Sequence, residues 1–337
     1  MLGGARGELT AHEVRTMVTA EVDELGALED DLRCALRVPH VVLQPSARVG
    51  IVRALRALGV PRGSEVIVSA FNCPPLIEHL RRAGWVVRAV DVAPGDACPD
   101  VESIAAAIGA RTAAILATHA FGRPAPMAAY RALADRRGLA LVEDAAQALG
   151  AGVGELGDAT VYSFGLTKPL GAWGGGAVVT RSAGLAARVR EQDGTSQRSL
   201  RIARGLAFEL ASRLPWRADP GTHLADPLGA LRARPWHDAP LEPACAALVR
   251  ARLPRLRAIT ERRRLAHART LRELRARGLD AMDDAVGGIG FGVLVRHPRP
   301  VDVARRLGAA RIELRAIDDL PLARALEATL LRVPVVM

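Results

Sequence analysis

Lysine is almost missing from this chain. Of the 46 lysine and arginine residues among 337, only Lys168 is lysine, and every other one is arginine. Aromatic residues make up 3%. The core must therefore be built from Leu, Val, Ile and Ala, and the stacking platforms that hold single-stranded nucleic acid are absent. The four cysteines, Cys34, Cys73, Cys98 and Cys245, are scattered with no C-x-x-C pair. That spacing argues against a disulfide framework and against a metal site, and the thiols read as free in a reducing compartment. No apolar run is long enough to span a bilayer. The N-terminus lacks the charged-then-apolar pattern of a secretory signal. The expectation is a cytoplasmic protein with neither a membrane nor a nucleic acid as partner.

Half of the residues, 50%, are hydrophobic, which excludes a disordered chain. The length allows one or two domains. A net charge of +10 invites a nucleic-acid reading, but the arginines are spread over most of the predicted helices and not gathered in one arm. They read as solvated helix faces whose positive potential would attract an anionic small molecule such as a nucleotide sugar.

Between residues 40 and 145 strand and helix patterns alternate. Strands are expected at His40–Leu43, Glu65–Ser69, Trp85–Val90 and Thr112–Ala117, with helices from Ser46 to Leu58, from Val101 to Ile108 and from Met127 to Arg136. Such alternation gives a mainly parallel sheet with helices on both faces. Glu13 to Leu36 carries apolar residues at helical spacing, so residues 1–37 form a helical lead-in of one or two helices. After Thr180 come a helix at Gly184–Arg190, a basic helical stretch at 195–217 and a Pro- and Gly-rich connection at 218–243. A long helix, Leu241–Arg277, follows and is interruptible at Pro254. Beyond it lie a strand at Gly290–Arg296, a helix at Val301–Leu307, a strand at Arg311–Arg315 and a helix at Pro321–Ala328. The expected division is a large domain at 1–245 and a small α/β domain at 246–337.

The chemistry concentrates between residues 139 and 180. Asp144 follows the hydrophobic run Leu139–Val142, and Ser163 ends a second run, Ala159–Tyr162, five residues before Lys168. Ligands of α/β sheets bind at the carboxyl ends of strands, so an acid, a hydroxyl and an amine converge there. A lysine amine can lose its proton and attack a carbonyl to form a Schiff base; a guanidinium cannot. Pyridoxal phosphate calls for such a set: an acid for the pyridine nitrogen, a lysine for the aldehyde and donors for the phosphate.

Glu143-Asp144-Ala145-Ala146-Gln147-Ala148-Leu149-Gly150-Ala151, Ser163-Phe164, Lys168 and Gly175-Gly176-Ala177-Val178-Val179-Thr180 resemble the signature of the DegT–StrS sugar aminotransferases. These are pyridoxal-phosphate enzymes of the aspartate aminotransferase fold. The resemblance implies a three-layer α/β large domain with a small C-terminal domain. It also implies that Lys168 carries the cofactor as a Schiff base, Asp144 pairs with its pyridine nitrogen, Gln147 lies over the ring near the phenolic oxygen and Ser163 binds the phosphate. The turn before the first helix, Ser46-Ala47-Arg48, stands where the family usually has Ser-Gly-Thr on the phosphate. An arginine there can hold a phosphate bidentately. Cys73 stands where the family commonly stacks an aromatic ring on the cofactor; Phe71 and Trp173 are the candidate substitutes. Gly174 stands where the family often has glutamate. His119, in a strand-end loop that matches the family, reads as a structural histidine ahead of a cofactor contact.

The implied activity is transfer of an amino group from glutamate or glutamine to a keto sugar or keto cyclitol, in secondary-metabolite or cell-surface polysaccharide biosynthesis. An elimination, dehydration or other carbanion reaction on the same cofactor is the alternative, and a non-catalytic cofactor-binding regulator is a further one. The fold resemblance also implies a homodimer with shared sites, to which Arg201, His223 or His237 could contribute.

Overall fold

The computed structural model describes residues 9–337 except 95, 166, 193–239, 283–286, 291, 299–309, 312–314, 317–319 and 334–337. The expected helices at 195–217 and 301–307, most of the 218–243 connection, and Arg201, His223 and His237 lie outside the described residues.

Two helices lead in, α1 (Ala11–Val18) and α2 (Asp23–Leu36). Helix α1 starts on a reciprocal capping box. The Thr10 hydroxyl accepts from the Glu13 N–H, and the Glu13 carboxylate accepts from the Thr10 N–H. The alternating region follows as β1 (His40–Gln44), α3 (Ala47–Ala57), β2 (Glu65–Ser69), the short β3 (Phe71–Asn72), α4 (Pro74–Arg82), β4 (Val86–Val90), α5 (Val101–Ala107), β5 (Thr112–Thr118), α6 (Met127–Arg137), β6 (Ala140–Asp144), β7 (Ala159–Ser163), β8 (Gly176–Thr180) and α7 (Ala183–Arg190).

Seven of these strands form one sheet in the order β1-β8-β7-β6-β5-β2-β4. The pairs from β7 to β4 are parallel. Strand β8 runs against both of its neighbours. It begins at Gly176, within the glycine-rich stretch that follows Lys168. The sheet's period of two sorts its side chains into two faces. Val66, Val68, Leu116 and Val142 pack under α3, α4 and α7. Ile67, Ile115 and Leu141 point the other way and pack with α5 and α6. On that second face the β1-β8-β7 edge is covered by α1, α2 and a further helix, α8 (Pro243–Arg252). The result is three layers.

The long helix expected from 241 to 277 is two, α8 and α9 (Leu256–Ala276), parted by a turn at Leu253–Arg255 that contains Pro254. Proline has no N–H for the helical ladder. Helix α9 packs on a second sheet, whose strands β9 (Asp280–Ala281), β10 (Val293–Arg296), β11 (Ala310–Arg311) and β13 (Leu330–Val333) run in the order β11-β13-β10-β9. The strand expected over 311–315 is in fact two. Ala310–Arg311 pairs with β13, whereas β12 (Arg315–Ala316) crosses back to pair with β3 of the larger unit. Helix α10 (Pro321–Thr329) lies between β12 and β13.

Where β8 begins, the main chains are crowded. A Cβ on Gly176 would stand 2.5 Å from the Tyr162 carbonyl oxygen and 2.9 Å from the Ala47 nitrogen. Neither is a side chain that can swing away. Gly176→Ala is therefore expected to cost about 1–3 kcal/mol, the usual scale for overpacking, read as a lower denaturation midpoint. Gly165→Ala serves as the control, because its added methyl would meet nothing closer than 3.6 Å. Equal midpoints for the two variants would show that the junction yields more easily than its distances imply.

Candidate active site

Three strand ends and one helix start build the site. Gly176 is opposite Gln44 of β1 on one side and Ser163 of β7 on the other. Ser46 bridges to Gly175. The N-terminus of α3 and the end of β7 are thereby placed on either side of Gly175–Gly176. Ser46 is the N-cap of α3, its hydroxyl accepting the Val49 N–H at 3.3 Å. Ser163 Oγ accepts the Gly165 N–H at 3.3 Å. A hydroxyl that accepts still has its own hydrogen to give, so both side chains can donate to an anion beside the helix start. Ala47 is buried, while Ser46, Arg48 and Ser163 are half-buried.

Asp144 ends β6, next to β7, and is buried. Its Oδ1 accepts the Ala146 N–H at 3.1 Å. Burial pushes its carboxyl up, against the opposing pull of the Ala146 amide and of the charge on Lys168. Lys168 is half-buried in the turn that follows β7, its N–H bonded to the Gly165 carbonyl at 2.8 Å. The lysine thus acts on Asp144 as a nearby charge.

Cys73 is the N-cap of α4, and its own N–H is held by Asn72 Oδ1 at 2.7 Å. Burial raises the thiol, against the nearby charges of Lys168 and Arg48. Arg48 hydrogen-bonds that thiol, and burial lowers the guanidinium's pKa. Arg48, Cys73, Asp144 and Lys168 therefore share one electrostatic neighbourhood. The Arg48–Cys73 pairing was not legible in the sequence, where the two residues lie 25 positions apart. Phe71 is 0% and Trp173 5% exposed. Phe71 packs on Phe121 with ring centroids 6.0 Å apart, and Trp173 belongs to the core beneath α8. Neither ring presents an open face.

Gln147 is buried, and its Oε1 accepts the Phe121 N–H at 2.7 Å. That contact fixes the amide so that its NH2 is the outward donor. Phe121 adopts φ 57°, and Gly122 follows at φ 73°. A buried non-glycine residue in the left-handed region is rare and strained. Here it brings the Phe121 N–H onto Gln147. His119 supports the same corner. Its Nδ1 accepts the Ala125 N–H at 3.0 Å, so the ring proton sits on Nε2 and is donated to Glu143 Oε2 at 2.9 Å. Both ring nitrogens are engaged inside the protein. Among the described residues, no group of three or more His, Cys, Asp or Glu is placed to hold a metal ion.

An open, mainly parallel sheet with one reversed strand, and a lysine in the turn after β7 within charge range of an aspartate buried at the end of β6, define a fold-type-I enzyme architecture. The model of the DegT/DnrJ/EryC1/StrS aminotransferase family matches residues 8–285, and the chain belongs to that family. It is 31% identical over 282 residues to a dTDP-3-amino-3,4,6-trideoxy-alpha-D-glucose transaminase of Micromonospora megalomicea subsp. nigra, covering 80% of this chain and 68% of that protein. It is 40% identical over 174 residues to a protein of Geobacillus stearothermophilus named pleiotropic regulatory protein, covering 50% of this chain and 47% of the relative. The chain thus spans about half the length of several curated relatives it matches. Among solved structures, S. venezuelae DesV in complex with a ketimine intermediate superposes with a TM-score of 0.75 at 26% identity, covering 96% of this chain and 89% of that one.

Beside Asp144, Glu143 has the opposite surroundings. It is buried, which raises its pKa, but the His119 N–H and the amides of Gly157 and Leu156 bring it net below the ordinary carboxylate range. Its Oε2 also takes the Gly154 N–H. In Glu143→Gln, whichever end the NH2 occupies meets two N–H donors. The expected loss at neutral pH is about 3–5 kcal/mol. A depressed carboxyl gives stability that is present above its unfolded value and is lost as pH falls through its folded value. The wild-type advantage should therefore shrink below about pH 4. Denaturant titrations of both proteins at pH 7 and in acid check this; an advantage that does not change with pH would show that Glu143 is not ionised in the fold.

Proposed function

We propose that the chain is a pyridoxal-phosphate-dependent aminotransferase that moves an amino group from glutamate or glutamine to a keto sugar or keto cyclitol, nucleotide-linked, in secondary-metabolite or polysaccharide biosynthesis. The observation that carries this reading is the single lysine of the chain held within charge range of a buried aspartate, beside a helix start and two serines. The residues gathered there fit the cofactor on the chemistry of their donors. Asp144 has a raised carboxyl that a cationic pyridine nitrogen would relieve. The Gly175–Gly176 floor brings Ser46 and Ser163 close together, and the residues around it offer hydroxyl and main-chain donors for a phosphate.

Bound there, the cofactor supplies an aldehyde that exchanges amines and a ring that accepts electrons from a deprotonated carbon. The chain's own residues supply the rest. Lys168 Nζ would hold the cofactor and would be the base available to move a proton beside it. Asp144 would keep a ring nitrogen protonated. Ser46, Ala47 and Ser163 would hold the phosphate through hydroxyls and the helix N-terminus. The Gln147 NH2 would be a donor to the ring oxygen. Cys73 and Arg48 form the wall where the family has an aromatic ring. That wall favours one second reading, elimination or dehydration on the same cofactor. Donor keto acid released in step with acceptor amination supports transfer; water lost from the sugar with no amine retained supports the alternative.

We also propose that the two units meet at the Leu253–Arg255 turn, a little beyond residue 245, because Ala244 to Leu253 belong to the same core as α1 and α2. We propose a cytoplasmic setting; no helix among the described residues is long and apolar enough to cross a membrane. The scattered arginines support a small anionic substrate and not a nucleic acid. A homodimer is supported by an exposed apolar line on the lead-in, Val14 at 43%, Val18 at 80% and Val22 at 73%. Light scattering should find two copies per particle; a fully active monomer would end that part of the proposal.

Borohydride treatment of the purified yellow protein should fix the cofactor on Lys168, and Lys168→Ala and Lys168→Arg should remain folded but lack the visible band. Asp144→Asn should still bind cofactor yet turn over on the order of a hundredfold more slowly, the scale of several kcal/mol of lost ion pairing. Label on any other residue, or an Asp144→Asn enzyme near wild-type turnover, would remove the assigned roles.

A further inference from the structure

The segment that carries Lys168 is two consecutive turns. The Lys168 N–H bonds to the Gly165 carbonyl at 2.8 Å, and the Gly171 N–H bonds to the Lys168 carbonyl at 3.0 Å. Its upstream side is tied to the sheet through the Phe164 N–H on the Gly175 carbonyl at 3.0 Å. Its downstream side is tied to something outside the sheet. Arg252, the last residue of α8, puts Nη1 on the Leu170 carbonyl at 3.1 Å and on the Gly171 carbonyl at 2.6 Å. The other edge of the same guanidinium meets Glu13 of α1, with Nε to Oε1 at 2.9 Å and Nη2 to Oε2 at 3.4 Å. Glu13 is in turn held by the Thr10 N–H at 2.9 Å. The Arg252 side chain is 13% and the Glu13 side chain 3% exposed.

A buried ion pair of this kind contributes little net stability, because desolvation offsets the attraction. Its geometric effect is larger. The planar fork of arginine fixes two carbonyls and one carboxylate in a single orientation, which a point charge would not do. The clamped carbonyls lie two and three residues beyond the lysine, whose chemistry is sensitive to displacement: about 1 Å of misplacement can cost on the order of a hundredfold in rate.

We propose that Arg252 and Glu13 are positioning residues for Lys168, clamping the downstream half of its turn and making the N-terminal helix a support of the active site. The inference rests on the proposed role of Lys168, but the clamp can be read without the cofactor. Two variants, Arg252→Gln, which removes the guanidinium fork, and the isosteric Glu13→Gln, are compared with wild type and with Arg250→Ala. Arg250 leaves the same helix for Glu24 and Asp31 at 2.8 and 2.7 Å, so its loss does not touch the turn.

In the cofactor-free protein, hydrogen exchange at the Lys168 and Gly171 amides should rise about tenfold or more in both glutamine variants and stay at the wild-type level in Arg250→Ala. On adding pyridoxal phosphate, covalent attachment at Lys168, followed by the visible band and trapped with borohydride, should be about tenfold slower in the same two variants. The pH midpoint of the band should also shift in them. Unchanged exchange in folded variants would overturn the clamp. Faster exchange with wild-type attachment rate and band titration would leave Arg252 and Glu13 merely structural and overturn the positioning role. So would an equal slowing in Arg250→Ala. If wild type took up no cofactor at Lys168, the proposed function would fall, and exchange alone would decide the clamp.

Discussion

At Gly176 three main chains meet at distances that no side chain would permit. The β8 backbone there lies against the Tyr162 carbonyl of β7 and the Ala47 nitrogen at the start of α3, and the rest of the site follows from that contact. Because β8 is thin at its start, β7 and β1 can flank it, and because β8 runs antiparallel to both, their ends point the same way. Ser163 and Ser46 then lie on one side of the sheet, next to a helix N-terminus. A methyl group at this point would part the two serines before it disturbed any of the helices packed on the sheet.

Next to that junction, Glu143 and Asp144 divide the functions of a buried carboxylate. Consecutive residues of a strand face opposite sides. Glu143 turns toward the 154–157 loop and is satisfied by main-chain amides and His119. It is a fixed charge that closes its loop. Asp144 feels the charge of Lys168 and receives the Ala146 amide, and burial is left to dominate its pKa. A carboxylate in that condition attracts a cation. Environments that push two neighbouring carboxyl groups in opposite directions separate a structural group from a chemical one.

How much of this could be read from the sequence depended on how local the cause was. Strands such as Glu65–Ser69 and the helix started by Ser46 are written in short runs and caps, and they appear where the pattern puts them. The Pro254 break is likewise a one-residue effect. Strand β8 was obscured because its glycines, needed for close approach, look like turn residues. Ala310–Arg311 and Arg315–Ala316 looked like parts of one strand because pairing partners are invisible to periodicity; each finds a different neighbour. The Arg252–Glu13 pair joins residues 239 positions apart, and the Arg48–Cys73 contact joins two helix starts. No spacing rule reaches either of them, since both come from how whole elements pack.

The composition itself takes on a physical meaning in this setting. The cationic positions that the structure describes do what a guanidinium does well. Arg252 grips two carbonyls and a carboxylate, Arg188 donates to the Ala57 carbonyl at 2.7 Å, and Arg190 joins Glu29 to the Val41 carbonyl. All of these are permanently charged contacts, forked in Arg252, in which arginine serves at least as well as lysine. Lys168 is the position where permanent charge would be disabling, because the proposed chemistry needs a nitrogen that gives up its proton and forms a bond to carbon. In a chain so depleted of lysine, the remaining amine also has no rival for an aldehyde except the N-terminus, so chemical selectivity at this site needs no discrimination among surface lysines.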